Sequence, residues 1–260
     1  MKGYKALDMD MRAVSGNGMQ YEMGKSYAIE EKVVPCYKGF HFCKSIEELN
    51  GYYSIKNSRI FEIEAAGEII ERNDTYAAEK IMLVRELTKE EVNDYFKQNQ
   101  RELIKCRNWN VRIAVAEQGY GLEELVCDEN WYVRAAVAGQ GYGLDVLVND
   151  DHWYVRVAVA EQGYGLDKLI QDKNCCVRVA AARQSYGLDT LIHDENYRVR
   201  MAVAKQGYGL DVLVHDDDCD VRCAVAERGY GLDVLVHDDD YDVRQTAKKM
   251  AEKKGTTAIW

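Results

Sequence analysis

Apolar and polar positions follow two regimes along this chain. From Asn108 onward the pattern recurs with a strict period of 22, in segments that start at Asn108, Asn130, His152, Asn174, Asn196, Asp218 and Asp240. Every copy places Val then Arg at its fourth and fifth positions, from Val111-Arg112 to Val243-Arg244. In the first copy Val111, Ala114 and Val115 fall at i, i+3, i+4 spacing, which is one face of a helix. Asn or Asp opens most copies, the side chains that best cap a helix N-terminus. Gly119 supplies the helix stop, and Gly121 allows a second sharp turn. Leu122, Leu125 and Val126 then predict a very short second helix, one turn of 3₁₀ type. An acidic residue at its start (Glu123, Asp145, Asp167, Asp189, Asp211, Asp233) suits the positive helix end. One such unit buries too little to stand alone, so neighbours are expected to stack into an all-α solenoid of short two-helix repeats. The upstream string R-E-L-I-K-C (101–106) aligns with the end of a unit and predicts a partial N-terminal cap.

The first 88 residues lack the repeat. G-F-H-F-C (39–43), R-I-F-E-I-E-A-A-G-E-I-I (59–70) and K-I-M-L-V-R-E-L (80–87) read as strands by alternation or apolar runs. S-I-E-E-L-N-G-Y-Y (45–53) reads as a helix with Ser45 as cap and Glu48 three residues on, the spacing of a capping box. The expected organisation is an α+β N-terminal domain over 1–88, a helical solenoid over 89–250 (partial cap plus seven units) and a tail over 251–260.

Composition narrows the function. The 260 residues are 47% hydrophobic and 30% charged, ordinary for a globular protein. Net charge is −10, and all of it lies between Asn108 and Met250, where 15 basic side chains face 25 acidic ones. An acidic repeat surface repels a phosphate backbone, so direct nucleic-acid binding is not expected. No apolar run reaches about 18 residues, so no membrane span is expected. The start carries no export signal, and the eight cysteines show no disulfide-framework spacing, so a cytoplasmic location with reduced thiols is the expectation.

Candidate chemistry is sparse. The arginine column (Arg112, Arg134, Arg156, Arg178, Arg200, Arg222, Arg244) lies about a quarter-turn from the core face. It could be read as a ligand-binding basic stripe, but with Glu117, Glu161 and Glu227 on the opposite flank it predicts an inter-repeat arginine–acid ladder, whose exposed members would add little per pair. The second position of the units carries Trp109, Trp131, Trp153, Cys175, Tyr197, Cys219 and Tyr241, and the residue four further on is Ile113, Ala135, Val157, Val179, Met201, Cys223 or Gln245. On an isolated helix this stripe points away from the core and varies while the core positions hardly change. It is therefore the expected protein-binding face, led by Trp109, Ile113, Trp131, Trp153, Val157, Tyr197, Met201 and Tyr241. The alternative placement has the rings folding over neighbouring repeats or against the N-terminal domain. Two acidic loops, with Asp216, Asp217, Asp218 and Asp220 in one and Asp238, Asp239, Asp240 and Asp242 in the other, read as solvated caps; as a ridge they would mimic nucleic-acid phosphates. The histidines 193, 215 and 237 near Cys219 and Cys223, and the set Cys36, His41 and Cys43, lack the paired short spacing of zinc sites. No phosphate-binding loop, dinucleotide fingerprint, nucleophile elbow or HExxH string occurs, so neither a metal, a cofactor nor a catalytic residue is expected.

Three resemblances add to this. The string D-E-N-W-Y-V-R-A-A-V-A (128–138) resembles the leucine-rich variant repeat, a relative of HEAT-like helical repeats, although the family's proline-containing turn is replaced here by Q-G-Y-G-L-D. That resemblance implies a binding scaffold. The layout from M-K-G-Y-K through G-F-H-F-C to S-R-I-F-E-I-E resembles an uncharacterised domain of phage-encoded and bacterial proteins, which implies an inhibitor of a host or defence protein acting in the host cytoplasm. The same layout is similar to ADP-ribosyltransferase cores, without a glutamate motif to complete one. The expected function is a non-enzymatic scaffold that binds another protein; the alternatives are an acidic nucleic-acid mimic and an ADP-ribosyltransferase-like enzyme.

Overall fold

The computed structural model describes residues 1–13, 18–34, 38–49, 53, 55–72 and 75–255. An α+β region with an antiparallel sheet is followed by a run of short helices in consecutive contact. The chain divides into two compact units, Met1–Gln140 and Gly141–Trp260.

In the first unit, strands β1 (Lys2–Leu7), β2 (Ser26–Ala28), β3 (Phe40–Phe42), β4 (Arg59–Arg72) and β5 (Thr75–Glu86) build one antiparallel sheet. Its order is β1-β4-β5-β2, with β3 also on β5. The three expected strands are present. The sheet also holds β1 and β2, the latter too short to show a period. Leu7, Phe40, Phe42, Phe61, Ile63, Ile81 and Leu83 form its buried face. The expected helix after Ser45 is reduced to α1 (Ile46–Leu49), and residues 50–52 fall outside the described set. Glu48 does accept from the Lys44 and Ser45 amides, at 3.0 and 3.3 Å, but the Ser45 hydroxyl is buried with no partner, so the box is half made. A complete capping box stands instead at the start of α2 (Lys89–Leu103), where Thr88 and Glu91 exchange bonds of 3.1 and 2.8 Å.

The β-sheet domain buries one lysine. Lys5 is 4% exposed, donates to the His41 carbonyl at 2.7 Å and lies 5.4 Å from the Tyr21 ring centre, with no salt bridge among the described residues. Burial pushes its pKa down to about 8, against a small opposing pull from Cys43.

The repeats follow the period. Each complete unit is a longer helix and a four-residue helix: α3 (Trp109–Glu117) with α4 (Leu122–Leu125), α5 (Trp131–Gly139) with α6 (Leu144–Leu147), and α7 (Trp153–Glu161) with α8 (Leu166–Leu169). There follow α9 (Cys175–Arg183) with α10 (Leu188–Leu191), α11 (Tyr197–Gln206) with α12 (Leu210–Leu213), α13 (Cys219–Glu227) with α14 (Leu232–Leu235), and a closing α15 (Tyr241–Lys253). The side chain that opens each unit caps its first helix, His152 included. The short helices are α rather than 3₁₀ in their closing bonds, because the residue after each, such as Val126, bonds back four residues to Leu122. Ser185 stands where the other complete units have glycine and takes a left-handed φ of 58°, a conformation that costs a serine about 1 kcal/mol.

The arginine column does form an arginine–acid ladder, but a largely buried one whose acids are not the glutamates that the pattern names. Arg156 and Asp172 form a two-bond pair, 2.6 and 2.8 Å, with both side chains under 9% exposed. Its third nitrogen donates to the carbonyls of Asp150 and Asp151 in the preceding loop. The same pairing recurs at Arg112–Asp128, Arg178–Asp194, Arg200–Asp216 and Arg222–Asp238. The partner is thus the aspartate 16 residues on, not Glu117, Glu161 or Glu227. The guanidinium plane reaches back to one loop and forward to the next, a geometry that a glutamate on a helix flank does not offer.

The buried lysine generates a pH dependence. Its folded pKa lies below the unfolded value, so between about pH 8 and 10 the unfolded state holds the extra proton and stability rises with pH. Urea unfolding of the full chain should show the Met1–Gln140 unit gaining about 2 kcal/mol from pH 8 to 10, and Lys5→Met should abolish that gain. A wild-type profile that is flat across this range would contradict a buried, unpaired ammonium.

Candidate protein-binding groove

The second position of each unit is the first residue of its longer helix, and the sixth lies one turn further on. In the second unit the longer helices pack side by side, α9 between α7 and α11, and α13 between α11 and α15. A helix with a neighbour on each flank has its stripe residues half covered. Cys175, Val179, Tyr197, Met201 and Cys223 accordingly rest against the repeat core instead of facing fully away from it. Trp153, at 37%, and Tyr241, at 64%, are exposed, as are Cys219 and Gln245. Arg244 lies over the Tyr241 ring.

Trp109, Ile113 and Trp131 belong to the first unit. There Trp109 on α3 stacks on Tyr132 of α5, ring centres 5.1 Å apart and planes 13° from parallel, while Trp131 stacks on its neighbour Tyr132. Ala135, at the sixth position of that repeat, is buried.

Trp153, Val157, Tyr197 and Met201 are brought together. With Cys175, Cys176 and Val179 they line a groove of about 450 Å³ within the second unit. Its rim carries Arg183, Arg198, Lys205 and Asp220. Arg198 lies over the Tyr197 ring at 5.7 Å and donates to its hydroxyl at 3.3 Å. Burial, then the neighbouring Cys175, raises the Cys176 pKa, which keeps it a neutral thiol at pH 7. The sequence pattern shows the stripe but not the groove, nor Arg183, Arg198 and Lys205 beside it.

The acidic loops separate into three roles. Asp216 and Asp238 are the buried partners of Arg200 and Arg222. Burial alone would raise the Asp216 pKa, yet it lies low because the Arg200 bonds and the Asp218 amide outweigh that effect. Asp218 and Asp240 cap α13 and α15. Asp217, Asp220, Asp239 and Asp242 are exposed, which leaves half the ridge facing solvent. Among the described residues no group of three or more His, Cys, Asp and Glu could hold a metal ion, and Cys36 falls outside them. A second cavity of about 480 Å³ in the first unit is lined by Ile55, Val92, Lys89 and the Arg59–Glu86 pair, which meets at 2.6 Å.

Comparison with known proteins finds a family model, described as a domain of unknown function (DUF7666), that matches residues 1–94. No curated protein matches the chain. Among solved structures, the crystal structure of YibA from Escherichia coli is similar over 67% of this chain and 78% of its own, with 20% identity and a TM-score of 0.36. No helix among the described residues is long and apolar enough to cross a membrane.

The three roles of the aspartates predict a graded series in urea unfolding. Asp216→Asn should cost about 3 kcal/mol, because it strands the Arg200 charge in a buried site. Asp218→Ala should cost about 1 kcal/mol through the lost cap, and Asp217→Ala should stay within about 0.5 kcal/mol. Equal losses at all three positions would show that the loop acts as an undivided charge cluster.

Proposed function

We propose that this protein is a non-enzymatic scaffold whose repeat region binds another protein through the stripe formed by the second and sixth repeat positions. The observation that carries this reading is a contrast between columns. Val and Arg recur in all seven copies, while the half-exposed stripe changes from Trp to Cys to Tyr and from Ile to Val to Met. Core and ion-pair positions answer to stacking, which is the same in every repeat; a column that varies at the surface answers to something outside the fold. The V-R-x-A-V-A core supports reading the units as leucine-rich-variant repeats with a glycine-tyrosine-glycine turn in place of the proline turn. The acidic-mimic reading has less to work with, since Asp216, Asp218, Asp238 and Asp240 are committed to ion pairs and caps.

Two variants separate the readings. Replacing Trp153, Tyr197 and Tyr241 by serine should weaken capture of the partner from a bacterial lysate by ~2 kcal/mol or more, with the melting temperature changed by only a few degrees. Changing Asp217, Asp220, Asp239 and Asp242 to asparagine should leave capture intact. The reverse result would support the acidic mimic, and full capture by both variants would overturn the stripe as the interface.

A further inference from the structure

The groove in the second unit lies where the sequence lacks an inter-repeat ring opposite Trp153. In the first two repeats, Trp109 at position two stacks on Tyr132, the third-position residue of the following repeat. Trp153 holds the same second position, and within its own repeat it stacks on His152 and meets Tyr154 edge-on. The third-position residue of the following repeat is Cys176, because the fourth repeat carries Cys175-Cys176 where the second and third carry Trp-Tyr. A thiol is several atoms shorter than a phenol, so the space that a stacking ring would fill is open and forms part of the groove. Trp153 stands on one side, the Tyr197 ring on another, and Val157, Val179 and Met201 line the space between.

The rim has a charge opposite to that of the chain. Arg183, Arg198 and Lys205 surround the opening against a single carboxylate, Asp220, on a protein of net charge −10. Arg183 and Lys205 form no salt bridge among the described residues. The two features select one kind of occupant: a flat apolar side chain with carboxylates on either side.

We infer that this groove binds an acidic peptide segment of a partner protein, with an aromatic side chain inserted against Trp153 in the place that Tyr132 takes against Trp109. The inference rests on the scaffold reading and names the partner chemistry at one position of the stripe. Ring stacking on Trp153 supplies the apolar attraction. Arg183, Arg198 and Lys205 supply the charge, in a site partly shielded from solvent by the walls.

The test uses the full chain labelled with ¹⁵N, with the indole N–H signals assigned by single Trp→Phe variants. The probe is the blocked peptide Asp-Asp-Phe-Asp-Asp, with Asp-Asp-Ala-Asp-Asp, Lys-Lys-Phe-Lys-Lys and adenosine monophosphate as controls. The acidic phenylalanine peptide should shift the Trp153 signal saturably, and the controls should bind at least about tenfold more weakly. Cys176→Tyr restores the ring found at Tyr132 and Tyr154, so it should fold normally and lose the response. Arg183→Glu with Lys205→Glu should lose it through charge alone. A Trp153 shift that survives Cys176→Tyr, or is equalled by the lysine peptide, would overturn the proposal. So would a stronger response to the nucleotide, or a signal that moves with protein concentration and marks a second copy as the occupant. Shifts at Trp109 or Trp131 with Trp153 still would reject the groove and leave the wider stripe reading standing.

Discussion

The longer helices that carry Arg112, Arg156, Arg178, Arg200 and Arg222 each hold a guanidinium that joins the loop before the helix to the loop 16 residues on. In the Arg222 case the plane donates twice to Asp238, at 2.7 and 2.9 Å, and its remaining arm donates to the Asp216 and Asp217 carbonyls. The aspartate is occupied on its other side as well, because it accepts the backbone N–H of the residue that caps the next helix, as Asp238 does from Asp240. One buried charge pair therefore satisfies loop carbonyls, orders the cap and sets the distance between successive loops. Removing either partner leaves the other buried and unpaired, which is far more costly than losing an exposed pair. The last arginine shows what ends the series: Arg244 keeps the back contact to the Asp238 carbonyl but has no aspartate ahead of it.

With spacing held by that pair and by the Val and Ala core, the surface positions of the helices are free to differ. Only a frame with repeated geometry gives a substitution such as Tyr to Cys at position three a local meaning. In a less regular fold the loss of a ring would be absorbed by repacking. Here it opens a groove beside Trp153 whose rim is basic on an acidic chain. Local charge and net charge are thus opposite in sign, and the proposed occupant answers to the local one.

Much of this was legible in the residues and some was not. The 22-residue period, the Asn and Asp caps and the glycine-bounded turns follow from local chemistry, and they predict the helices of the repeats well. The aspartate at position 21 was equally visible, recurring at Asp128, Asp150, Asp172, Asp194, Asp216 and Asp238. Helical-wheel reasoning missed it because its partner lies across a loop and not on the same helix. The groove could not be read from one repeat, since it depends on which side chain of the next helix stands opposite Trp153. The exposure of the stripe was overstated for the same reason: an isolated wheel does not see the flanking helices. In the sheet region β4 and β5 carried clear patterns, whereas β2 has three residues and takes its place from tertiary pairing.

The claim on which the rest depends is that the arginine–aspartate pair, and not the apolar core alone, sets the repeat. A double-mutant cycle on Arg178→Met and Asp194→Leu, read by urea unfolding at pH 7, measures it directly. The structure predicts that each single change is costly, that the double variant recovers much of the loss, and that the two residues are coupled by about 2 kcal/mol or more. Additive losses, with a coupling within about 0.5 kcal/mol of zero, would contradict it.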